Sequence, residues 1–86
     1  MKVRIPTPLQ SYTGAMHMVD ASGSTVAEVL ADLDAQFPGI RFRMIDEQEQ
    51  LRQHMNIFVG RERTRDLSTS LEGVDEVVIM QALSGG

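Results

Sequence analysis

The sequence has no cysteine and no tryptophan, and aromatic side chains make up only 5% of its 86 residues. Without cysteine the chain has no disulfide, no thiolate nucleophile and no thiolate metal ligand. No apolar run approaches the roughly 20 residues that a transmembrane helix needs. Residues 1–6 also lack the apolar core of a signal peptide. We therefore expect a cytoplasmic protein that has no membrane contact.

Basic residues are also few, and the formal net charge is −4. A nucleic-acid surface needs a basic stripe, so we expect no nucleic-acid partner. An acidic surface suits a protein that docks on a more basic partner. A chain of 86 residues forms one compact domain with little interior to spare for a buried active site.

Side chains that carry chemistry are present but are not grouped. His17 and His54 fall on different predicted strands, whereas a metal site needs three or four converging ligands. Asp32 and Asp34 are two apart on a predicted helix and point to different faces. Residues 68–70 are hydroxyl side chains with no general base nearby. The sequence therefore predicts no catalytic residues and no metal site.

Residues 25–37 carry the clearest periodicity. Their apolar residues recur at helical spacing and form one stripe, which comprises Val26, Val29, Leu30, Leu33 and Phe37. Thr25 and Glu28 fit a capping box, and Pro38-Gly39 follows as a stop. This pattern predicts one amphipathic helix.

Alternating segments predict strands at residues 1–5, 15–21, 55–59 and 76–82. Residues 67–71 fit either a short strand or a 3₁₀ turn, and a short helical turn is predicted within residues 38–44. One long helix covers only one face of such a sheet. We therefore predict an α+β β-grasp (ubiquitin-like) domain, a mixed sheet with one main helix packed on one face. The domain spans residues 1–82, and residues 83–86 form a tail.

The tail reads Leu83-Ser84-Gly85-Gly86. Glycine has no Cβ, so this segment suits a narrow channel that brings the Gly86 carboxylate into a site on another protein. A free carboxylate is a poor electrophile, but an ATP-using partner could convert it to an acyl-adenylate. A sulfur donor would then displace AMP and leave a thiocarboxylate.

Several segments resemble the ThiS/MoaD sulfur carriers. The glycine tail that follows Glu76-Val77-Val78-Ile79 is similar to theirs. Three further segments resemble the branch that supplies sulfur for cysteine synthesis: Ile5-Pro6-Thr7-x-Leu9-x-x-Tyr12-Thr13-Gly14, Thr25-Val26-x-Glu28-Val29-Leu30 and Leu51-Arg52-x-His54-x-Asn56-Ile57-x-Val59.

The resemblance implies a carrier that is acted on by enzymes and is not itself one. Gly86 would carry the sulfur, with Gly85, Ser84 and Leu83 as the arm. The implied partners are an E1-like adenylating enzyme, which uses ATP, and a sulfur-accepting enzyme, for which a pyridoxal-phosphate dependent enzyme is one candidate; the chain itself would bind no cofactor. Three alternatives remain open: the small subunit of molybdopterin synthase, a protein modifier joined through Gly86 to lysines, and an interaction domain with an idle tail.

Strand alternation also predicts a docking surface. If the odd-numbered residues of the last strand face the core, then Val78 and Met80 face outward, with Phe58 beside them. Such an exposed apolar patch usually marks a partner surface. The alternative is that residues 38–53 fold over it.

A second candidate surface is the basic cluster of Arg61, Arg63 and Arg65. It fits either a docking site for an acidic groove or a solvated turn with weak surface ion pairs.

Overall fold

The computed structural model describes residues 1–82. The predicted tail, residues 83–86, lies outside this range. A 3₁₀ turn at Thr7–Leu9 follows the first strand. The remaining elements, in chain order, are β1 (Lys2–Arg4), β2 (Met18–Asp20), α1 (Val26–Gln36), α2 (Ile40–Met44), β3 (Met55–Val59), β4 (Glu62–Thr64) and β5 (Glu76–Gln81).

The five strands form one mixed sheet in the order β2-β1-β5-β3-β4. β1 and β5 pair in parallel at the centre, and the other neighbouring strands are antiparallel. The parallel pair joins the first and last strands of the chain. This topology, with one main helix on the sheet, confirms the predicted β-grasp fold.

Helix α1 begins at the predicted capping residue Thr25, with hydrogen bonds close to those of a capping box. The Glu28 amide donates to the Thr25 hydroxyl oxygen at 3.2 Å, and the Glu28 carboxylate accepts from the Ser24 amide at 2.7 Å. The first two helical amides donate to the carbonyls of Thr69 and Leu67 at 3.1 and 2.8 Å. The segment at 67–71 is thus neither of the predicted alternatives; it is a loop that satisfies the N-terminus of α1, with a single bridge between residues 25 and 70.

The core lies between α1 and one face of the sheet. The helix buries most of its predicted stripe, whereas Phe37 is only partly buried. Facing it are buried residues from the central strands, namely Val3, Ile57, Val77 and Ile79. Residues 38–53 add a second layer to the same core through Ile40, Met44, Ile45 and Leu51. Within residues 1–82, neither helix is long and apolar enough to cross a membrane.

The strands differ from the prediction in two places. The predicted strand at 15–21 is reduced to β2, because residues 10–16 form turns in which the buried Thr13 hydroxyl donates to the carbonyl of Met16 at 2.7 Å. β4 was not predicted, because Glu62–Thr64 is polar throughout. It forms because the sequence turns at Gly60 and returns along the edge of β3.

Gly23 lets the chain between β2 and α1 pass close to the helix. A Cβ on Gly23 would lie 2.7 Å from the amide nitrogen of Val29 and 2.8 Å from the Cβ of Glu28. Real Cβ atoms essentially never approach that closely, so a larger residue here would push the loop away from the helix.

Candidate functional site

Phe58, Val78 and Met80 lie on the face of the sheet opposite α1, as strand alternation predicted. Val77 and Ile79 are buried, so the residues between and after them point outward. Phe58 is the register partner of Val78 on the neighbouring strand. Met80 is 50% exposed, and the other two are half-buried. We call these three side chains the apolar patch; its role as a docking site stays a prediction.

The apolar patch lies within a continuous row of side chains that crosses the sheet. Register pairs connect Met18 to Arg4, Arg4 to Val78, Val78 to Phe58 and Phe58 to Arg63. An arginine therefore stands on each side of the patch. Arg4 Nε lies 3.4 Å from Glu76 Oε2.

The flanking position of Arg4 was not predicted. The signal was present, because Lys2 and Arg4 alternate with the buried Val3 and must face the same way as Val78. What was missing was the parallel register that brings β1 beside β5.

Residues 38–53 bury four apolar side chains in the core between α1 and the sheet, whereas Phe42 stays exposed. Met44 and Ile45 are fully or almost fully buried there. This segment therefore packs on the helix side of the sheet, whereas Met80 remains half-exposed on the other side.

The three arginines predicted as one cluster have separate environments. The Arg65 guanidinium donates to the carbonyls of Leu51 and Arg52 at 2.9 and 3.0 Å, and also to that of Met55. Arg61 lies in the turn after β3, and Arg63 projects from β4 beside the apolar patch. Arg65 is therefore committed to holding a loop, and the two alternatives for Arg61 and Arg63, a docking site or a solvated turn, stay predictions.

Asp66 and Ser68 form a tight turn next to Arg65. The Ser68 hydroxyl donates to Asp66 Oδ1 at 2.6 Å, and the Ser68 amide donates to the same oxygen at 2.9 Å. These bonds hold the pKa of Asp66 below its usual value near 3.8, since they stabilise the ionised carboxylate. A carboxylate with a lowered pKa is a poor proton acceptor, so this pair shapes a turn and does not activate a nucleophile.

The remaining polar candidates are dispersed. His17 and His54 are both exposed, one before β2 and one before β3. In the described part of the chain, no three His, Asp or Glu side chains come together as metal ligands.

The tail leaves from the centre of the sheet. The Ala82 amide donates to the carbonyl of His54 at 2.8 Å, just beyond the end of β5. Met80 lies two residues before this point on the outer face, so the apolar patch adjoins the root of the tail. The predicted sulfur-carrying Gly86 and the arm of Leu83, Ser84 and Gly85 lie outside the described residues, and their roles stay predictions.

Comparison with known proteins extends these observations. Residues 3–86 match the ThiS family. The chain is 38% identical to the sulfur carrier protein CysO of Mycobacterium tuberculosis over 89 aligned positions, which cover 98% of this chain and 96% of that protein.

Solved structures share the fold over nearly the whole chain. The crystal structure of M. tuberculosis CysO superposes with a TM-score of 0.88 at 37% identity, covering 95% of this chain and 98% of that one. A chain of the BexX/CysO complex of Amycolatopsis orientalis gives 0.90 at 34% identity, with 99% and 98% covered. Small archaeal modifier protein 1 from Methanosarcina acetivorans gives 0.79 at 28% identity, with 99% and 94% covered. Since the family match runs from β1 through Gly86 and the fold agrees, the chain belongs to the ThiS family.

Proposed function

We propose that this chain is a cytoplasmic sulfur carrier whose working group is the Gly86 carboxylate. The observation that carries the proposal is the match to the ThiS family through residue 86, together with 38% identity to a sulfur carrier over 98% of the chain. In this scheme the chain is a cosubstrate of partner enzymes.

The chemistry requires two displacement steps, the first at the α-phosphorus of ATP and the second at the terminal carbonyl carbon. A carboxylate oxygen of Gly86 attacks the α-phosphorus of ATP on an E1-like partner, which forms an acyl-adenylate and releases pyrophosphate. A sulfur donor then attacks the acyl carbon and displaces AMP, leaving a thiocarboxylate. ATP is used by the partner enzyme, and the carrier itself binds no cofactor.

The apolar patch serves as the dock for the adenylating partner. Its half-exposed Met80 adjoins the root of the tail, so a partner that covers the patch also receives the tail. Arg4 and Arg63 on either side favour a partner surface with an apolar centre and acidic edges. The CysO of A. orientalis has been crystallised in a complex with BexX, which supports docking of such carriers on another protein.

Cysteine-type amino-acid synthesis is the favoured destination of the sulfur. The likeness to CysO and the motifs at residues 5–14 and 51–59 support this choice. The acceptor would be a pyridoxal-phosphate enzyme holding an activated serine or homoserine. A carrier that visits two enzymes in turn needs transient complexes of moderate size, unlike an obligate molybdopterin synthase subunit.

Intact-mass measurement tests the carrier role. The full chain is incubated with ATP, sulfide and the E1-like adenylating enzyme of the same genome, and we expect the mass gain of one oxygen replaced by sulfur. No change in mass would contradict the carrier role and leave an interaction domain with an idle tail. The thiocarboxylate form is then given to the pyridoxal-phosphate enzyme with its amino-acid substrate, and cysteine or homocysteine is measured. Transfer only to a molybdopterin synthase large subunit with its pterin precursor would contradict the pathway.

A protein modifier is the second candidate, favoured by the likeness to small archaeal modifier protein 1. Gly86 would then form isopeptide bonds with lysine side chains of targets. This sequence contains a single lysine, Lys2, which is exposed on β1. Conjugation of the chain to itself through a side chain is thus restricted to Lys2, and peptide mass spectrometry separates such isopeptides from a thiocarboxylate on free protein.

A further inference from the structure

A groove lies at the root of the tail, on the side of the sheet opposite to Met80. Its volume is about 250 Å³, and the side chain of Gln81, the last residue of β5, forms part of its wall. The lining residues are Leu9, Phe42, Arg43, Arg52, His54 and Gln81. We call this surface the tail-root corner.

An exposed aromatic ring dominates the corner. Ile40 and Met44 lie one turn apart on α2 and are buried, so Phe42 points the other way and is 57% exposed. Surface aromatics of this size are concentrated at interfaces. The signal was present in the sequence, where a phenylalanine stands between two arginines on the polar side of a short helix.

Arg52 is held in place over this ring. Its guanidinium carbon lies 4.8 Å from the centroid of Phe42, and its Nε donates to the Phe42 carbonyl at 2.8 Å. Within residues 1–82, these contacts leave the terminal nitrogens of the guanidinium available for a carboxylate, which binds this planar group with two parallel hydrogen bonds. Because the side chain is already ordered, binding costs little further entropy.

The positive charge of the corner is not neutralised by the described residues. In residues 1–82 the ion pairs are Arg4 with Glu76 and Arg41 with Glu49, which leaves Arg43 and Arg52 without an acidic partner there. None of the residues that line the groove is acidic. A chain of net charge −4 thus has a positive, partly aromatic surface beside the end of β5.

With Gly86 as the reacting residue of the proposed function, its spacing from Ala82 limits where a partner must make contact. Gly86 lies four residues after Ala82, and at about 3.5 Å per residue these residues span at most about 14 Å. A reacting centre on a partner must therefore come within that distance of the tail root. The partner surface around that centre must then lie close to the end of β5.

We propose that the tail-root corner docks against the rim of the partner channel that receives the tail, and that this rim presents carboxylate side chains beside an apolar wall. The proposal rests on the proposed function, since it presumes an enzyme that takes in Gly86. Arg43 and Arg52 form ion pairs with the carboxylates of the rim, and Phe42 packs against the apolar wall of the partner. The corner and the apolar patch lie on opposite sides of the sheet, so the partner contacts the domain on both sides.

Adenylation kinetics with the full chain and the E1-like enzyme of the same genome test this surface. Arg43→Glu is the main variant, because the Arg43 side chain has no hydrogen bond or ion pair with residues 1–82. Arg61→Glu is the matched control, with the same charge change in the turn at the far end of β3. ATP–pyrophosphate exchange is measured against carrier concentration.

We expect Arg43→Glu to raise the KM for the carrier about tenfold at low salt with kcat unchanged. Added salt should reduce the difference in KM between this variant and the wild type, because it screens the charges. Arg61→Glu should change KM less than about twofold. Phe42→Ser should raise KM without lowering the melting temperature. An equal effect of both charge reversals, or no effect of either, would overturn the proposal. A decrease in KM with Arg43→Glu would overturn it in favour of a corner that holds the chain's own C-terminal carboxylate. If the wild type shows no exchange, the proposed function itself fails.

Discussion

The guanidinium of Arg65 donates to the carbonyl oxygen of Leu51 at 2.9 Å and so ties the loop before β3 to the segment after β4. The same group reaches the carbonyls of Arg52 and Met55. One side chain thus binds three backbone carbonyls, and through Arg52 it also supports the tail-root corner.

Replacing Arg65 by Gln should destabilise the domain. The change removes charge-assisted hydrogen bonds to three carbonyls, and we expect a loss of about 1–3 kcal/mol in the free energy of unfolding. Urea denaturation measures it. The control is Arg61→Gln, an exposed turn position that should stay within about 0.5 kcal/mol of the wild type. Equal effects of the two variants would show that the Arg65 contacts contribute nothing.

Leu30→Ala should be among the most damaging core changes. Leu30 is completely buried between α1 and the sheet, and truncation leaves a cavity that costs about 2–5 kcal/mol. Its neighbour Ala31 is exposed on the same helix, and Ala31→Ser should cost only about 0.5 kcal/mol through helix propensity. Thermal and urea unfolding compare the two, and a similar small loss in both would contradict the packing described here.

Deleting Gly86 should remove the sulfur-carrier function while leaving the stability of the domain almost unchanged. Gly86 lies five residues beyond the end of β5 at Gln81, so we expect the melting temperature to move by less than about 2 °C. Adenylation should be abolished, because the reacting carboxylate is displaced by one residue. Calorimetry and pyrophosphate release are the measurements. A large fall in melting temperature would mean that the tail is structural.

Met80→Asp should weaken binding to the adenylating enzyme while the domain stays folded. Met80 is half-exposed, and apolar contacts near the centre of an interface carry most of its energy. We expect at least a tenfold loss in affinity, or about 1.4 kcal/mol, measured by titration calorimetry. Ala31→Asp places the same charge on the solvent face of α1 and should bind normally. Unchanged affinity for Met80→Asp would exclude the apolar patch as the dock.

Titration of Asp66 should make the free energy of unfolding depend on pH under acidic conditions. Ser68 lowers the pKa of Asp66 in the folded state, so its stabilisation exists above the unfolded pKa and is lost as pH falls through the lower folded value. Asp66→Asn should therefore be less stable than wild type at neutral pH, and the gap should close as the buffer is taken below 3.8. Urea unfolding across a pH series checks this, and a constant gap would assign the effect to something other than titration.

Local patterns in the sequence predicted α1 and the facing of β5. The stripe through Leu30 repeats within one helix, and the Thr25–Glu28 cap lies within a single turn. The outward side of Val78 follows from alternation with Val77 and Ile79. These features depend on neighbours a few residues away, so a sequence pattern contains them.

Long-range contacts decided the rest. β4 is polar and forms only because β3 offers it an edge, and the Arg65 acceptors lie 10 to 14 residues away along the chain. Arg4 lies beside the apolar patch only through the parallel register of β1 with β5, and Phe42 and Gln81 line one groove only because the fold brings α2 near the end of β5. The sequence by itself thus determined the buried stripe of α1, the outward side of β5 and the two glycines at residues 85 and 86. Only the tertiary structure decided which outward side chains are neighbours, because that depends on strand order and register, which a periodic pattern does not encode.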